Sequence, residues 1–562
     1  YDFINLFEMQ IAQNLYIGSN TLSNSTANLI FATIGESAGE VANILVFNNT
    51  LEENYLIPFL DIDTHSQLNI NIIRNRIQDS CFRHPVIHLG FKEEESAVKF
   101  SENTFQNLTV LAEGFWQAGI IIFNAQKKAS CSMVIEECNF IENSLATKGL
   151  NPLLLGYKNS LVYLFSVKSK VQIINSTFYH NNAGSDTFFL TIYANIIEFS
   201  RLNFTKQEAW MEGTIGVPTT SIYAATMNLS VAHSTFQENN VQLGGGFYLD
   251  YLADYGTTPV NRSDTNLTTL TVFNNSFAGN KVDLGGAIYV KDLSGIYLSG
   301  QVSNNVFTSN QATKGSTIYI NNIIVSKLVL RENIYNCYYP DEGVRVTGGD
   351  FYIFGLSQKF ELKIQSVEIS DSTIFVRNNL TSLILFDIAK VNYPPITFKN
   401  ITFVSYDTPQ AMATYPSTTL MRVVDSTVEL WSINITGFYS KNSLFQAAEG
   451  AHITIHSSNI TNFSCSSGGC LVEMVKLNPS IPNHINVQIR NTTIDNRAFV
   501  DVNNDTGSSV IFINAEDAFL TLDNAYIYGC RGSNGAVVSA AMKGATDSQP
   551  SSVSGRIVIT FS

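Results

Sequence analysis

Short runs in which apolar and polar residues alternate recur along the chain. Residues 228–249, 269–290 and 301–320 share one unit: an alternating run, a Phe, an Asn three residues later, a Gly-containing turn and a second run. A period of two residues is typical of β-strands, and Gly and Asn favour turns. The pattern therefore predicts repeated strands and turns, without helices.

The Phe of each unit serves as an anchor, because related apolar residues recur every 25 to 41 residues. The predicted anchors are Leu22, Leu51, Ile77, Phe105, Phe140, Phe178, Phe204, Phe236, Phe277, Phe307, Tyr335, Ile369, Phe403, Ile435, Ile460, Ile494 and Ile527. A third run precedes the next anchor, as in residues 170–175, 360–365, 452–457, 486–491 and 519–524. Such a repeat predicts an all-β fold: a single right-handed parallel β-helix (β-solenoid) of about 17 coils, with three short strands per coil.

Coils that stack at strand spacing predict a rod roughly 80 Å long. Each anchor is expected to point inward and to pack on the anchors of neighbouring coils. Asn at the third residue after the anchor (anchor +3; anchor −3 is the third residue before it) is expected to adopt the left-handed conformation at a corner and to hydrogen-bond the next coil. These residues are Asn54, Asn143, Asn181, Asn239, Asn280 and Asn310. Gly244–Gly246, Gly285–Gly286 and Gly468–Gly469 are expected to let the chain turn.

The predicted β-helix runs continuously over residues 17–562, with an incomplete last coil, and residues 1–16 form an N-terminal cap or a first partial coil. Apolar residues four apart, from Phe3 to Leu15, predict an amphipathic helix over 3–15, with more strand as the alternative. Residues 556–562 match a third strand with no anchor after it. An open edge of this kind favours a filament subunit or a segment of a longer protein.

Asn-x-Ser/Thr sequons, the acceptors of N-glycosylation, predict that the protein lies outside the cell or on its surface. Five of them lie three residues before an anchor, where an alternating strand would turn them outward: Asn48, Asn175, Asn274, Asn400 and Asn491. The other predicted glycosylation sites are Asn24, Asn107, Asn203, Asn228, Asn261, Asn266, Asn379, Asn434, Asn459, Asn462 and Asn504.

Two coils carry a recognisable motif pair. FAGN before GGAIYV and FQEN before GGGFYL resemble the FxxN and GGA[ILV] motifs of polymorphic outer-membrane protein repeats, which belong to the pectin-lyase-like right-handed β-helices. The repeat pattern and the density of sequons are similar to those of large protist surface glycoproteins. The resemblance implies surface display with an adhesive or structural role, and it carries no catalytic residues.

Charge and composition narrow the class of partner. A net charge of −14 and a pI of about 5.1 disfavour nucleic acid, which needs clustered Lys and Arg. The sequence has no apolar run long enough to span a membrane. Seven cysteines are too few for a disulfide scaffold. Cys465 and Cys470 flank a tight turn and form a possible disulfide.

Candidate chemistry is sparse. Asp61 and Asp63 share one face of a strand and are expected to be solvated. Residues 501–507 resemble a calcium loop, but Phe512 stands where the closing Glu belongs. His452 and His456 share a strand face, as would His84 and His88 on a strand, and such pairs are too far apart for one metal. Residues 93–95, three Glu, are expected to form a solvated loop. The sequence therefore predicts no catalytic, cofactor or metal site.

These observations predict an extracellular structural glycoprotein, a rod-like subunit of a surface or extracellular filament or matrix. Its expected partners are copies of itself or other surface proteins, and N-linked glycans. A monomeric adhesin or glycan-binding stalk is the first alternative. A polysaccharide lyase or hydrolase is the second, since pectin-lyase-like folds include such enzymes.

Overall fold

The computed structural model describes twenty-seven segments of the chain. They are residues 5–6, 14–24, 30–34, 42–54, 58–64, 67–92, 95–112, 119–126, 129–147, 159–183, 187–209, 221–250, 267–290, 297–321, 324–337, 351–354, 366–376, 383–389, 395–405, 418–440, 442–465, 469–476, 484–495, 509–515, 517–528, 537–540 and 557–561. These residues contain strands and no helix. The chain divides into two compact units, Tyr1–Lys291 (unit 1) and Asp292–Ser562 (unit 2).

Within each unit the strands stack in parallel ladders, as the predicted parallel β-helix requires. One coil of unit 1 contains Ile87–Phe91, Ser96–Ser101 and Thr104–Gln106. Each pairs in parallel with its equivalent in the next coil. We number these ladders 1, 2 and 3 in chain order, and the anchors lie on ladder 3. Three strands per coil are thus confirmed, and the all-β parallel β-helix with them.

The strands of unit 1 follow this order over nine ladder-3 rungs. Ladder 1 contains Ile30–Ile34, Leu60–Thr64, Ile87–Phe91, Ile121–Ala125, Ile222–Ala225, Phe247–Asp250 and Ile288–Val290. Ladder 2 contains Asn14–Gly18, Ala42–Phe47, Leu68–Ile73, Ser96–Ser101, Cys131–Glu136, Asn228–Ala232 and Leu267–Phe273. Two long strands, Asn159–Ile174 and Thr187–Ser200, belong to both ladders. Ladder 3 contains Thr21–Ser23, Thr50–Glu52, Arg76–Gln78, Thr104–Gln106, Asn139–Ile141, Thr177–Tyr179, Asn203–Thr205, Thr235–Gln237 and Ser276–Ala278.

Unit 2 has eight ladder-3 rungs. Its ladder 1 contains Ile318–Asn321, Phe351–Phe354, Leu383–Ala389, Thr418–Val424, Phe445–Ala448, Gly469–Val475, Ser509–Asn514 and Val538–Ala540. Ladder 2 contains Tyr297–Ser303, Ile324–Arg331, Ser366–Ser370, Ile396–Lys399, Thr427–Trp431, His452–His456, Ile485–Arg490, Ala518–Asp523 and Ile557–Phe561. Ladder 3 contains Val306–Thr308, Ile334–Cys337, Thr373–Val376, Thr402–Ser405, Asn434–Thr436, Asn459–Thr461, Thr493–Asp495 and Tyr526–Tyr528.

Shorter strands complete the two units. Unit 1 has a fourth ladder that the sequence did not predict: Cys81–Phe82, Thr109–Ala112, Ser144–Thr147, Asn182–Ala183 and Glu208–Ala209. In unit 2, Tyr439–Ser440 pairs with Ser464–Cys465. Asn5–Leu6 is a strand that pairs with residues 31 and 32. The helix predicted over residues 3–15 is therefore wrong at Asn5–Leu6 and from Asn14, and its other residues lie outside the described ones.

The core of each coil is built by the inward-facing residues of the alternating strands. Strand Leu68–Ile73 buries every second side chain, and so does Ile485–Arg490. Anchor rings pack face to face along ladder 3: the centroids of Phe140 and Phe178 are 4.6 Å apart, with their planes 5° apart. Planar rings suit this geometry because parallel strands lie about 4.8 Å apart.

Sixteen of the seventeen predicted anchors lie on ladder 3, and Ile369 is wrong. Ile374 occupies the anchor position, because it pairs with Tyr335 and Phe403. Ile369 is also buried, but it belongs to the preceding ladder-2 strand Ser366–Ser370. The third strand predicted at 360–365 lies outside the described residues.

The corner residues differ from their prediction by one position. Positive φ angles occur at anchor +2, for example at Glu142 with φ 54° and His180 with φ 50°. The Asn residues at anchor +3 do not adopt this conformation, so that part of the prediction is wrong. The corner also accepts Gly, as at Gly279 and Gly437 with φ 63° and 75°. Gly244 and Gly285 lie in a later turn, eight residues after their anchors, and have φ angles of 57° and 69°.

Asn at anchor +3 points inward instead and links the coils, as predicted. Asn143 and Asn181 are buried. Asn181 Oδ1 accepts from the Asn143 backbone N at 3.0 Å and from Asn143 Nδ2 at 2.9 Å, and Asn181 Nδ2 donates to the Phe140 carbonyl at 3.0 Å. A second inner row lies at anchor −2, where Asn49 donates to Asn75 and Asn75 to Asn103.

Candidate functional site

Ladder 3 is bounded on its amino-terminal side by a corner that recurs in every coil. The residue at anchor −3 has a positive φ angle in all seventeen described coils. Its side chain varies: Arg74, Glu102 and His233 stand there as well as Asn. This corner therefore turns a residue outward through backbone geometry, and not through the strand alternation that the sequence predicted.

Twelve of the sixteen sequon Asn residues are described, and eleven of them flank the ladder-3 anchors. Five occupy anchor −3: Asn48, Asn175, Asn274, Asn400 and Asn491. Three occupy anchor −1: Asn203, Asn434 and Asn459. Three occupy anchor +2: Asn24, Asn107 and Asn462. All eleven are exposed except Asn462, which is half-buried. We call this set of positions along the ladder-3 strands of each unit the sequon face.

The remaining sequons lie elsewhere. Asn228 begins a ladder-2 strand and is half-buried. Asn261, Asn266, Asn379 and Asn504 lie outside the described residues, as does the calcium-like loop at 501–507. The positions at anchor −3 and +2 favour Asn for its tolerance of positive φ. The three at anchor −1 are ordinary strand positions, so backbone conformation does not account for Asn there.

The side-chain amides of some sequon Asn residues at anchor −3 form hydrogen bonds. Asn400 Nδ2 donates to Asp371 Oδ1 at 3.0 Å, and Asn491 Oδ1 accepts from Asn524 Nδ2 at 2.8 Å. A glycan replaces only one hydrogen of Nδ2, so both bonds are compatible with glycosylation. The sequon face therefore presents accessible acceptor nitrogens in both units.

The outward side of ladder 1 in unit 1 holds a pair that the sequence missed. His88 Nδ1 lies 2.8 Å from Asp61 Oδ1 on the neighbouring strand. Burial lowers the pKa of His88, but the hydrogen bond to Asp61 and the charges of Asp61 and Asp63 together raise it above its usual value. Asp61, with 23% of its side chain exposed, is paired rather than solvated as predicted. Gly90 leaves the space that Asp63 fills, since a Cβ there would lie 1.9 Å from Asp63 Oδ1.

Farther along the same ladder, the outward side is covered by stacked tyrosines. Tyr223 and Tyr248 stack with centroids 5.2 Å apart, and Tyr248 stacks on Tyr289 at 4.7 Å. Tyr223 donates a short hydrogen bond to Asp250, which is fully buried. This arrangement forms a second apolar cluster, with the Asp250 carboxylate satisfied inside it.

Unit 2 places charged residues at the equivalent outward position. Arg422 Nε and Nη2 donate to the two carboxylate oxygens of Asp387 at 3.0 and 2.5 Å. Glu473 lies two rungs after Arg422 on the same ladder. Burial raises the pKa of Glu473, and the long hydrogen bonds from Gln446 and Ser443 only partly oppose this shift. Three rungs separate Asp387 from Glu473, about 14 Å, whereas glycosidase carboxylate pairs lie roughly 5 to 9.5 Å apart. These two carboxylates do not form such a pair.

His452 and His456 share the outward face of their strand, as predicted. His456 stacks on Trp431 with ring centroids 4.1 Å apart and planes 9° apart. Burial, followed by the positive charge of Arg490, lowers the pKa of His456. The negative charges of Glu429 and Asp523 partly oppose this shift. His84 lies outside the strand Ile87–Phe91 that holds His88, so these two residues do not share a strand face.

Cysteine chemistry separates into two kinds. Cys81, Cys131 and Cys138 are thiols, and burial raises the pKa of Cys131 and of Cys138 to about 11. Cys470 belongs to a disulfide. Its partner is outside the described side chains, so the pairing with Cys465 stays a prediction.

Among the described residues, no group of three or more His, Cys, Asp or Glu is placed to hold a metal ion. In that same part of the chain, no helix is long and apolar enough to cross a membrane. Comparison with known proteins finds no family model that matches the chain and no curated protein with a matching sequence.

Proposed function

We propose that the chain is part of an extracellular structural glycoprotein whose sequon face carries N-linked glycans. One observation carries the proposal: eleven of the twelve described sequon Asn residues lie between anchor −3 and anchor +2 of ladder 3. That interval covers six of roughly 30 residues in a coil. Exposure of ten of the eleven supports their use, because a glycan is bulky and needs solvent.

The disulfide at Cys470 supports the same compartment. Disulfides persist in oxidising environments such as the extracellular space, and they are rare in the cytosol. The proposed partners are therefore other extracellular molecules, either copies of the chain or other surface proteins.

A structural role fits the way in which the coils are joined. Inner amides such as Asn75 bond to the coils on both sides, so each coil is fixed by its neighbours through side chains as well as backbone. Repeats joined in this way form stiff, extended surfaces. The motif pair at residues 236–290 supports the more specific proposal of a pectin-lyase-like β-helix with polymorphic outer-membrane protein-type repeats.

The test is site-by-site glycopeptide mapping of the protein isolated from its source. Release of glycans by a glycosidase in heavy-oxygen water converts each occupied Asn to a mass-labelled Asp. The proposal expects occupancy at most sequon-face sites, including Asn107 and Asn203. A protein without label at any sequon-face site would contradict it.

A polysaccharide-cleaving enzyme is the second candidate, and Glu473 is the observation that favours it. A half-buried carboxylate with a raised pKa suits a general acid. A reducing-sugar assay on acidic polysaccharides decides: activity that is lost in Glu473→Gln and kept in Glu429→Gln supports the enzyme. Absence of activity across the substrates favours the structural role.

A further inference from the structure

Asn434 and Asn459 occupy the same outward position on neighbouring ladder-3 strands of unit 2. Their Cα atoms are register partners, and both residues are exposed. Each begins a sequon whose hydroxyl residue is Thr436 or Thr461, and these two hydroxyl oxygens lie 3.2 Å apart. Side chains leave a sheet roughly perpendicular to it. The two acceptor amides therefore project side by side, about 4.8 Å apart.

This spacing accommodates compact side chains and flat rings that pack face to face, but not two bulky saturated rings. Phe140 and Phe178, also one rung apart, fill it with centroids 4.6 Å apart and nearly parallel planes. The first sugar of an N-linked glycan is a puckered, saturated ring with hydrated substituents. Two such rings, each continued by a branched chain, leave no room for the water that their hydroxyl groups require.

No other two sequons in the part of the chain that the structure describes are register partners. The register neighbours of Asn203, for example, are Thr177 and Thr235. Asn400 and Asn491 lie at anchor −3, and the residues at anchor −3 in the two coils between them are Ser432 and Ser457. Among the described sequons, only Asn434 and Asn459 are therefore crowded as direct register partners.

We infer that each folded molecule carries a glycan on either Asn434 or Asn459, and not on both. This inference rests on the proposed N-glycosylation of the sequon face and adds a rule for its occupancy. A chain modified at both sites before folding is expected to fold poorly, because pairing of these two strands forces the glycans together. Folded protein is therefore depleted of the doubly modified form.

The test needs both sites in a single peptide, and the sequence provides it. After reduction, an arginine-specific protease cuts after Arg422 and after Arg490, which releases residues 423–490 intact. Native protein is first treated with an endoglycosidase that leaves one sugar on each occupied Asn. Fragmentation mass spectrometry then assigns the sugars to Asn434, Asn459 and Asn462 in each molecule.

The inference expects peptides with a sugar at Asn434 or at Asn459, and the doubly modified form at least tenfold below the product of the two single occupancies. Equality with that product would overturn it, and so would the absence of sugar from both sites. Removal of the first sequon by Thr436→Val is expected to raise occupancy of Asn459 towards completeness. The matched control Thr493→Val removes the Asn491 sequon on a neighbouring rung and is expected to leave Asn459 unchanged. Glycans absent from every sequon-face site would instead contradict the proposed function.

Discussion

Asn181 accepts two hydrogen bonds from Asn143 in the adjacent coil, one from its backbone N at 3.0 Å and one from its side-chain Nδ2 at 2.9 Å. Both residues are buried, so neither donor has water as a substitute. These two hydrogen bonds therefore hold adjacent coils together through a polar residue. They also explain why Asn recurs at anchor +3 without a left-handed backbone there.

Asn181→Ala is expected to lower the free energy of unfolding by about 2–4 kcal/mol, because it leaves buried donors on Asn143 unpaired. Chemical denaturation monitored by circular dichroism measures the change. Gln106→Ala, at an outward ladder-3 position, is the control and is expected to change stability by less than about 0.5 kcal/mol. Equal effects of the two substitutions would show that the inner amides do not hold the coils together.

The anchor stack predicts coupling between Phe140 and Phe178. Each Phe→Ala substitution is expected to cost about 3–5 kcal/mol, because both rings are fully buried. In a double-mutant cycle the stacked pair is expected to show a coupling of about 0.5–1.5 kcal/mol. Phe140 and Phe277, which lie four coils apart, provide the control cycle. A coupling of similar size there would contradict a contact-specific stack.

The corner at anchor +2 predicts a stabilising substitution. Glu142 has a φ angle of 54°, which costs an ordinary residue about 1–2 kcal/mol. Glu142→Gly is expected to raise the free energy of unfolding by about 0.5–1 kcal/mol, since Gly adopts positive φ freely. Gln237→Gly, within a ladder-3 strand, is expected to lower it by a similar amount. Thermal melts of both variants check the opposite signs.

Two buried threonines offer a matched pair. Thr191 Oγ1 has no hydrogen-bond partner among the described residues. Thr226 Oγ1 donates to the Asn195 carbonyl at 2.9 Å and accepts from the Asn228 backbone N at 3.1 Å. Thr191→Val is expected to stabilise the protein by about 1 kcal/mol and Thr226→Val to destabilise it by about 1–2 kcal/mol. Denaturation curves that move in the same direction would contradict this assignment.

The buried thiols predict a loss of stability at high pH. Burial raises the pKa of Cys131 and Cys138 from 9.0 to about 11, so the folded state keeps their protons longer than the unfolded state. Stability from these groups is complete below pH 9 and is lost as the pH rises towards 11. The double variant Cys131→Ala, Cys138→Ala is expected to show a shallower decline over this interval. An unchanged slope in urea denaturation across pH 9–11 would count against the assignment.

The sequence predicts ladders 2 and 3 well because the corner between them has a constant length. Trp431 and His456 both lie four residues before their anchors, and they stack. Equal offsets of this kind were visible in the sequence. Ile369 was misplaced because Ile374 is apolar as well, and only the pairing with Tyr335 separates the two.

Ladder 1 was less predictable because the connection between ladders 1 and 2 varies in length. Asp61 and His88 lie 16 and 17 residues before their anchors, yet they are register partners. Asp387 and Arg422 show a larger difference, 16 and 13 residues. Charge pairs on this ladder therefore emerge only once the strands are paired in three dimensions.

The central claim is that N-linked glycans project from ladder 3, and a density map of the glycosylated protein tests it most directly. Such a map must resolve the first sugar of each glycan. The account predicts sugar density beside ladder-3 strands in both units, at exposed sites such as Asn107, Asn203 and Asn491, with one glycan shared between Asn434 and Asn459. A map with bare ladder-3 strands, or with its sugars mainly on the outward sides of ladders 1 and 2, would contradict it.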